Sequence, residues 1–252
     1  MAHAVRSGKN EAPAAASSKF GGFGPEIERQ IRKQDLVSNP AIEEMKGAWA
    51  GFKEFAMPDG FNEDAIDIAS GHQFAIRGAI KNMIYRAKDV ENFSISLSGF
   101  QDDMNFPYVA GLYLSILIDS CPEDGAIIHT IHLARLIDGL GSHNRKRFSV
   151  DGDVNESIGG QMTDGAIIVS GNAGNGVGAG MTGGIITVKG DAGEGVGYTM
   201  RGGTIIVEGS AKGDVGDWME GGEIRIEGRI DIIANSMKHG KIFHKGELIV
   251  DK

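Results

Sequence analysis

Read for its apolar positions, the second half of the chain repeats itself. Methionines stand at Met162, Met181, Met200, Met219 and Met237, at spacings of 19, 19, 19 and 18. The glycine closing each apolar run stands at Gly152, Gly171, Gly190, Gly209, Gly228 and Gly246, at spacings of 19, 19, 19, 19 and 18. Five residues after each methionine comes Ile167, Ile186, Ile205, Ile224 or Ile242. Two further on comes Val169, Val188, Val207 or Ile226, and then His244 in the last unit. The position between these columns is mixed: Ile168, Thr187, Ile206, Arg225, Phe243. Such alternation marks a short strand with one buried face. A further apolar column, Ile158, Val177, Val196 and Val215, precedes a glycine each time.

A unit of this length is too short for two antiparallel blade strands and lacks the helical stretch of a βαβ unit. It suits one coil of a single-stranded parallel β-helix, in which no coil buries its own apolar face and stacking makes the core. Methionine, isoleucine and valine then form interior ladders. Gly165, Gly184, Gly203 and Gly222 fall where the chain turns between faces, a place for positive φ. "FSVDG" (148–152) keeps the register, so the array is expected to start near Phe148.

The front half has other periodicities. "GPEIERQIRKQDLV" (24–37) and "NPAIEEMKGAWAGFKEF" (39–55) predict helices with proline in the first turn, the second anchored by Trp49 and Phe52. "HQFAIRGAIKNMIYRAKD" (72–89) places Ile76, Ile80, Met83, Ile84 and Ala87 at helical spacing. "NFSISLS" (92–98) alternates as a strand, and "FPYVAGLYLSILIDS" (106–120) predicts a buried helix. "DGAIIHTIHLARL" (124–136) reads as a strand or as a degenerate coil leading into the array, because Asp124–Ile128 copies Asp164–Ile168. The organisation is therefore a disordered tail at 1–19, an α+β docking region at 20–147, and the repeat β-helix at 148–252.

Composition sharpens this picture. Glycine is 39 of 252 residues, about twice the usual share, and gathers in the repeats. A net charge of −9 argues against a nucleic-acid partner. The longest apolar run, 108–118, is too short to span a membrane. The N-terminal segment has no secretory h-region, and the single cysteine, Cys121, fits a reducing compartment, so a cytoplasmic location is expected.

"GAGMTGGIITVKGDAGEGVGYTMRGGTIIVEG" (178–209) looks like two phosphate loops. A phosphate loop needs a helix after its glycines. Here another turn and strand follow, so turn chemistry is the better reading. The densest polar cluster is 129–148. His129 and His132 make H-x-x-H, with Asp138 and His143 downstream, but structural histidines are the plainer reading than a metal pair. Arg135, Arg145, Lys146 and Arg147 form a basic patch, read as a solvated run. Cys121 reads as a buried or capping thiol, and the methionine ladder as packing, not soft-metal binding.

The 178–209 stretch resembles the G-x-G-x-G repeat domain at the C-terminus of the glutamate synthase large chain. It is more similar to the C subunit of formylmethanofuran dehydrogenase, which shares the phrasing M-x-G-G-x-I-x-V-x-G-x-A-G. The likeness covers about 148–250. It implies a right-handed parallel β-helix with a structural role, bracing subunits that carry FMN, iron–sulfur or molybdenum/tungsten pterin. It implies no catalytic, metal or cofactor-binding residue in the repeats. The expected function is a scaffold subunit of a multisubunit redox or amide-transfer enzyme, with other protein subunits as partners. The alternatives are a free-standing β-helix hydrolase or lyase, and a homo-oligomeric structural protein.

Overall fold

A computed structural model describes residues 39–55 and 63–252. The tail expected at 1–19 and the helix expected at 24–37 lie outside the described residues. Among the described residues four helices come first: α1 (Pro40–Trp49), α2 (Glu63–Ile80), α3 (Ala87–Ser96), a 3-10 turn at Leu97–Phe100, and α4 (Phe106–Ser120). Ten short strands follow: β1 (Ala126–His129), β2 (Arg147–Asp151), β3 (Ala166–Val169), β4 (Ile185–Val188), β5 (Thr204–Val207), β6 (Ala211–Val215), β7 (Glu223–Ile226), β8 (Ile230–Ile233), β9 (Lys241–His244) and β10 (Glu247–Asp251).

The strands build a parallel β-solenoid of about 6 turns, each of ~19 residues. Its main sheet has eight strands in the order β1-β2-β3-β4-β5-β7-β9-β10, and β6 pairs with β8 on a second face. Every main-sheet pair is parallel and in register except the last, where β10 folds back antiparallel on β9. Register aligns the sequence columns. Phe148, Ile167, Ile186, Ile205, Ile224 and Ile242 stack in one row, and Val150, Val169, Val188, Val207 and Ile226 in another. These residues are buried, as are Met162, Met181, Met200, Met219 and Met237. A third row, Val154, Ala173, Ala192 and Ala211, joins successive coils through isolated bridges.

The array starts one coil earlier than expected. β1 pairs with β2, but the sequence match of Asp124–Ile128 to Asp164–Ile168 lies one residue out of the structural register: Ala126 and Ile128 share rows with Ile167 and Val169, and Ile127 points outward with Ile168. The corner glycine Gly165 has φ 83°. Gly184, Gly203 and Gly222 turn the equivalent corners with φ of 84°, 90° and 94°. At Gly184 a Cβ would also lie 2.6 Å from the Met162 Cε. Close stacking of coils therefore excludes a side chain there, besides the left-handed backbone.

Two expectations for the front half are corrected. The 72–89 helix is two helices: α2 ends at Ile80 and α3 begins at Ala87. The break is set by polar capping. The Arg86 N–H donates to the Asp89 carboxylate (2.9 Å) and the Ala87 N–H to Glu123 (3.1 Å), both favourable at a helix N-terminus. Ile84, expected in the core, sits in the break and is 91% exposed. The strand expected at 92–98 is the end of α3 and its 3-10 extension. Val90, Phe93, Ser94 and Leu97 are buried, a helical spacing that the coincidental alternation of Phe93, Ile95 and Leu97 concealed.

The helices close one end of the solenoid. α4 is almost wholly buried, and its Gly111 lies so near the backbone of Asp138 that a Cβ would fall 1.7 Å from that carbonyl oxygen. The Asp138 N–H donates to Pro107 O (3.0 Å), and the Gly141 N–H to the Ser115 hydroxyl (2.8 Å). Trp49 and Phe52 anchor the helices as expected, Trp49 within an aromatic cluster of Phe93, Phe100, Phe106 and Tyr113.

Candidate functional site

The glycine runs have little main chain left to offer an anion. In the first run Gly174 and Gly178 donate their N–H groups to Val154 O and Ile158 O of the preceding coil, and Gly176 donates to Glu194 O of the next. In the second run Gly193 and Gly197 donate to Ala173 O and Val177 O. A phosphate cradle requires such amides to point at the ligand; here they hold coil to coil. Gly178, at φ 64°, has the Ile205 Cδ1 at 2.6 Å from where a Cβ would stand.

The histidines part company. His129 ends β1, in register with Asp151 on β2. Its Nδ1 lies 3.0 Å from the Asp151 carboxylate and its Nε2 3.5 Å from Glu91 on α3. Its backbone N–H donates to the Ser94 hydroxyl (3.0 Å). His129 thus ties the helices to the first two coils. His132 follows in the next turn, with both ring nitrogens buried and without a hydrogen-bond partner. Burial, and then the neighbouring His129, hold its pKa below the ordinary histidine value. His143 lies elsewhere, on an exposed corner at φ 56°. Asp138 does not join the histidines; its carboxylate accepts from the Asn155 side chain (2.7 Å). Among the described residues no three His, Cys, Asp or Glu side chains converge as a metal site would require.

The basic patch is divided among separate partners. Arg135 donates to the backbone carbonyls of Gln101, Asp103 and Met104, closing the turn before α4. Arg145 and Arg77 grip Asp119 at 3.1 Å each. Burial alone would raise the Asp119 pKa, but these two guanidinium groups hold it below the usual carboxylate range. Lys146 and Arg147 face Asp124. Cys121 is buried, and burial pushes its thiol pKa up, away from nucleophilic use. His244 ends the valine column half-buried, its Nε2 2.8 Å from Gly228 O.

Two surface features complete the description, and only the first was not read from the sequence. The position ahead of Met162, Met181, Met200 and Met219 is a corner of left-handed residues: Gln161 (φ 55°), Gly180 (65°), Thr199 (51°) and Trp218 (54°). A non-glycine residue costs about 1 kcal/mol there. The column was visible in the register, but only one of its members is glycine, so composition hid it. The second is the outer face of the main sheet. Ile127, Ser149, Ile168, Thr187, Ile206, Arg225 and Phe243 stand in one row across it. Ile168 and the adjacent-row Ile185 are 46% and 47% exposed. In the neighbouring polar column Lys189 pairs with Glu208. Arg225 lies over the Phe243 ring at 4.3 Å.

The polar groups that meet at the junction of helices and solenoid are suited to holding the two together. The larger feature is the eight-stranded main sheet, with exposed isoleucines on its outer side. Among the described residues no helix is long and apolar enough to cross a membrane. No family model matches the chain, and no curated protein matches it.

Proposed function

We propose that this chain is a scaffold subunit, not catalytic on its own, of a multisubunit redox or amide-transfer enzyme. The observation that most supports this reading is the outer face of the main sheet. Its eight strands are tied coil to coil by main-chain hydrogen bonds, and it sets exposed Ile127, Ile168 and Ile185 on one rigid plane. Singly scattered exposed apolar residues are ordinary; several on one face of a hydrogen-bonded sheet suit a protein partner. The sequence resemblance to the formylmethanofuran dehydrogenase C subunit and the glutamate synthase repeat domain points the same way. In this reading the partner subunits carry the FMN, iron–sulfur or molybdenum/tungsten pterin.

Gentle native purification followed by identification of what accompanies the chain tests it. Stoichiometric subunits bearing one of those groups are expected. Replacing Ile168 and Ile185 together by lysine should release them without unfolding the chain. A chain that purifies alone and hydrolyses or cleaves a substrate, with that activity lost in His129→Ala, would overturn the reading in favour of a free-standing enzyme.

A further inference from the structure

Strand by strand, the outer face of the main sheet carries one large side chain beside one small one. On β2 they are Arg147 and Ser149, on β3 Ile168 and Ala166, on β4 Ile185 and Thr187, and on β5 Ile206 and Thr204. Ile127, Ser149, Ile168, Thr187 and Ile206 share one row, and Arg147, Ala166, Ile185 and Thr204 the next. The large residue therefore changes row at every strand, in the order Ile127, Arg147, Ile168, Ile185, Ile206. Ile127, Ile168 and Ile185 are 37%, 46% and 47% exposed, and Ile206 is half-buried. On β7 both rows are charged, by Glu223 and Arg225, which pair with each other, and the zigzag ends.

We infer, resting on the scaffold reading, that a single amphipathic α-helix of a partner subunit lies on this zigzag, along the stack and across the strands. Spacing selects a helix. Each strand advances the zigzag by about 4.8 Å. The a/d seam of a helix advances about 5.2 Å per apolar residue and alternates sides in the same way. An extended segment laid along the same line turns alternate side chains away, so those facing the sheet stand about 6.6 Å apart and miss every strand in turn. Ala166, Thr187 and Thr204 leave the spaces that the helix side chains enter. Area selects one helix rather than a second copy of this chain. Five strands span ~19 Å, or about 13 helical residues, and a strip of that length one helix wide covers about 200 Å². That is a quarter of the ~800 Å² per partner that a stable dimer needs. Charge adds a detail. Lys146 and Arg147 both face Asp124, which leaves one positive charge over at the β2 end, so the helix carries a carboxylate there.

A photoreactive side chain, placed in turn at Ser170, Lys189 and Glu208, tests this in the natively purified assembly. These three stand exposed on successive coils beside the zigzag. Illumination and mass spectrometry should link all three to one segment of one partner. Each step of one coil should move the linked residue by about three positions along that segment. Steps of one or two positions mean an extended segment, links scattered over several segments mean a broad domain face, and links to a second copy of this chain mean a dimer. Each of these, or no link at all, overturns the inference while the accompanying subunits leave the scaffold reading standing. A chain that purifies alone overturns both. Thr187→Trp fills a space between Ile168 and Ile206 without removing an isoleucine. It should lower the retained partner roughly tenfold while the melting temperature holds. Arg147→Glu should lower it less, and Lys241→Ala, past the charged end of the same face, should leave it unchanged. Retention indifferent to Thr187→Trp also overturns the inference.

Discussion

Trp49 and Met200 are both fully buried, and they are held in opposite ways. Trp49 sits in the helical cap among Phe93, Phe100, Phe106 and Tyr113, a set of contacts that occurs once in the molecule. Met200 sits between Met181 and Met219, in an environment that the coils on either side repeat. The cap is a jigsaw, in which each side chain answers to several elements. The solenoid is a stack, in which each coil answers mainly to its two neighbours. The difference governs how far a local fault spreads.

The junction between the two regions should show the largest effect. A Cβ on Gly111 would sit 1.7 Å from the Asp138 carbonyl oxygen, which is backbone and cannot swing aside. Gly111→Val should therefore destabilise by about 3 kcal/mol or more, beyond ordinary overpacking. In urea the variant should show an early transition, seen by tryptophan fluorescence from Trp49, before the solenoid melts. If a single transition persists and merely shifts, cap and solenoid are one cooperative unit and the contrast drawn between them is wrong.

Next come truncations within each region. Trp49→Ala should cost ~3–5 kcal/mol and Met200→Ala ~2–5 kcal/mol. The distinction lies in their neighbours. Met200→Leu keeps the volume and should cost under about 1.5 kcal/mol. Hydrogen exchange in Met200→Ala should quicken in the adjoining coils and leave α4 slow. Exchange in Trp49→Ala should quicken across all of the described helices that meet it. Equal spreading in both would remove the reason to treat the solenoid as quasi-one-dimensional.

The same contrast explains what could be read from sequence. In the solenoid each structural demand is stated several times, so two columns of residues sufficed to find the coil, its inward face and its corner glycines. Even the first coil was hinted at by Asp124–Ile128, although that match lies one residue out of register, with Ile127 outside where Ile167 is inside, and the methionine is missing. In the cap each demand is stated once. Phe93, Ile95 and Leu97 alternate like a strand, yet α3 is chosen by Asp89 and Glu123 at its N-terminus and by the long-range contact of Phe93 with Trp49. The surroundings of His129 were hidden for the same reason. Its partners Glu91 and Asp151 come from α3 and β2, which only the finished fold brings together.

That junction should also respond to pH. The ring nitrogens of His132 are buried beside His129, and burial holds its pKa below the ordinary histidine value of 6.5. The folded chain therefore binds this proton less readily than the unfolded chain. The associated stability is fully present above pH 6.5 and is lost as pH falls from there towards the lowered folded value. Melting temperature should drop over this range in the parent, and less in His132→Phe, which cannot take up the proton. An equal drop in both would place the sensitivity elsewhere, with His129 and its two carboxylates as the next group to vary.

The smallest effect belongs to the outer ladder. Lys189 and Glu208 stack on successive coils as an exposed pair, their side chains 46% and 45% accessible. Identical positions repeat outside the solenoid as they do inside, but water screens what they do to each other. Lys189→Ala should change stability by ~0–1 kcal/mol, and less in high salt. Met181→Ala, in the preceding inward column of the same coil, should cost several times more. Chemical unfolding of the two variants side by side measures the ratio. If the outer change proved as costly as the inner one, the coils would be held by their charged edges as much as by their core, and the ladder of methionine, isoleucine and valine would lose its place as the principal support of the main sheet.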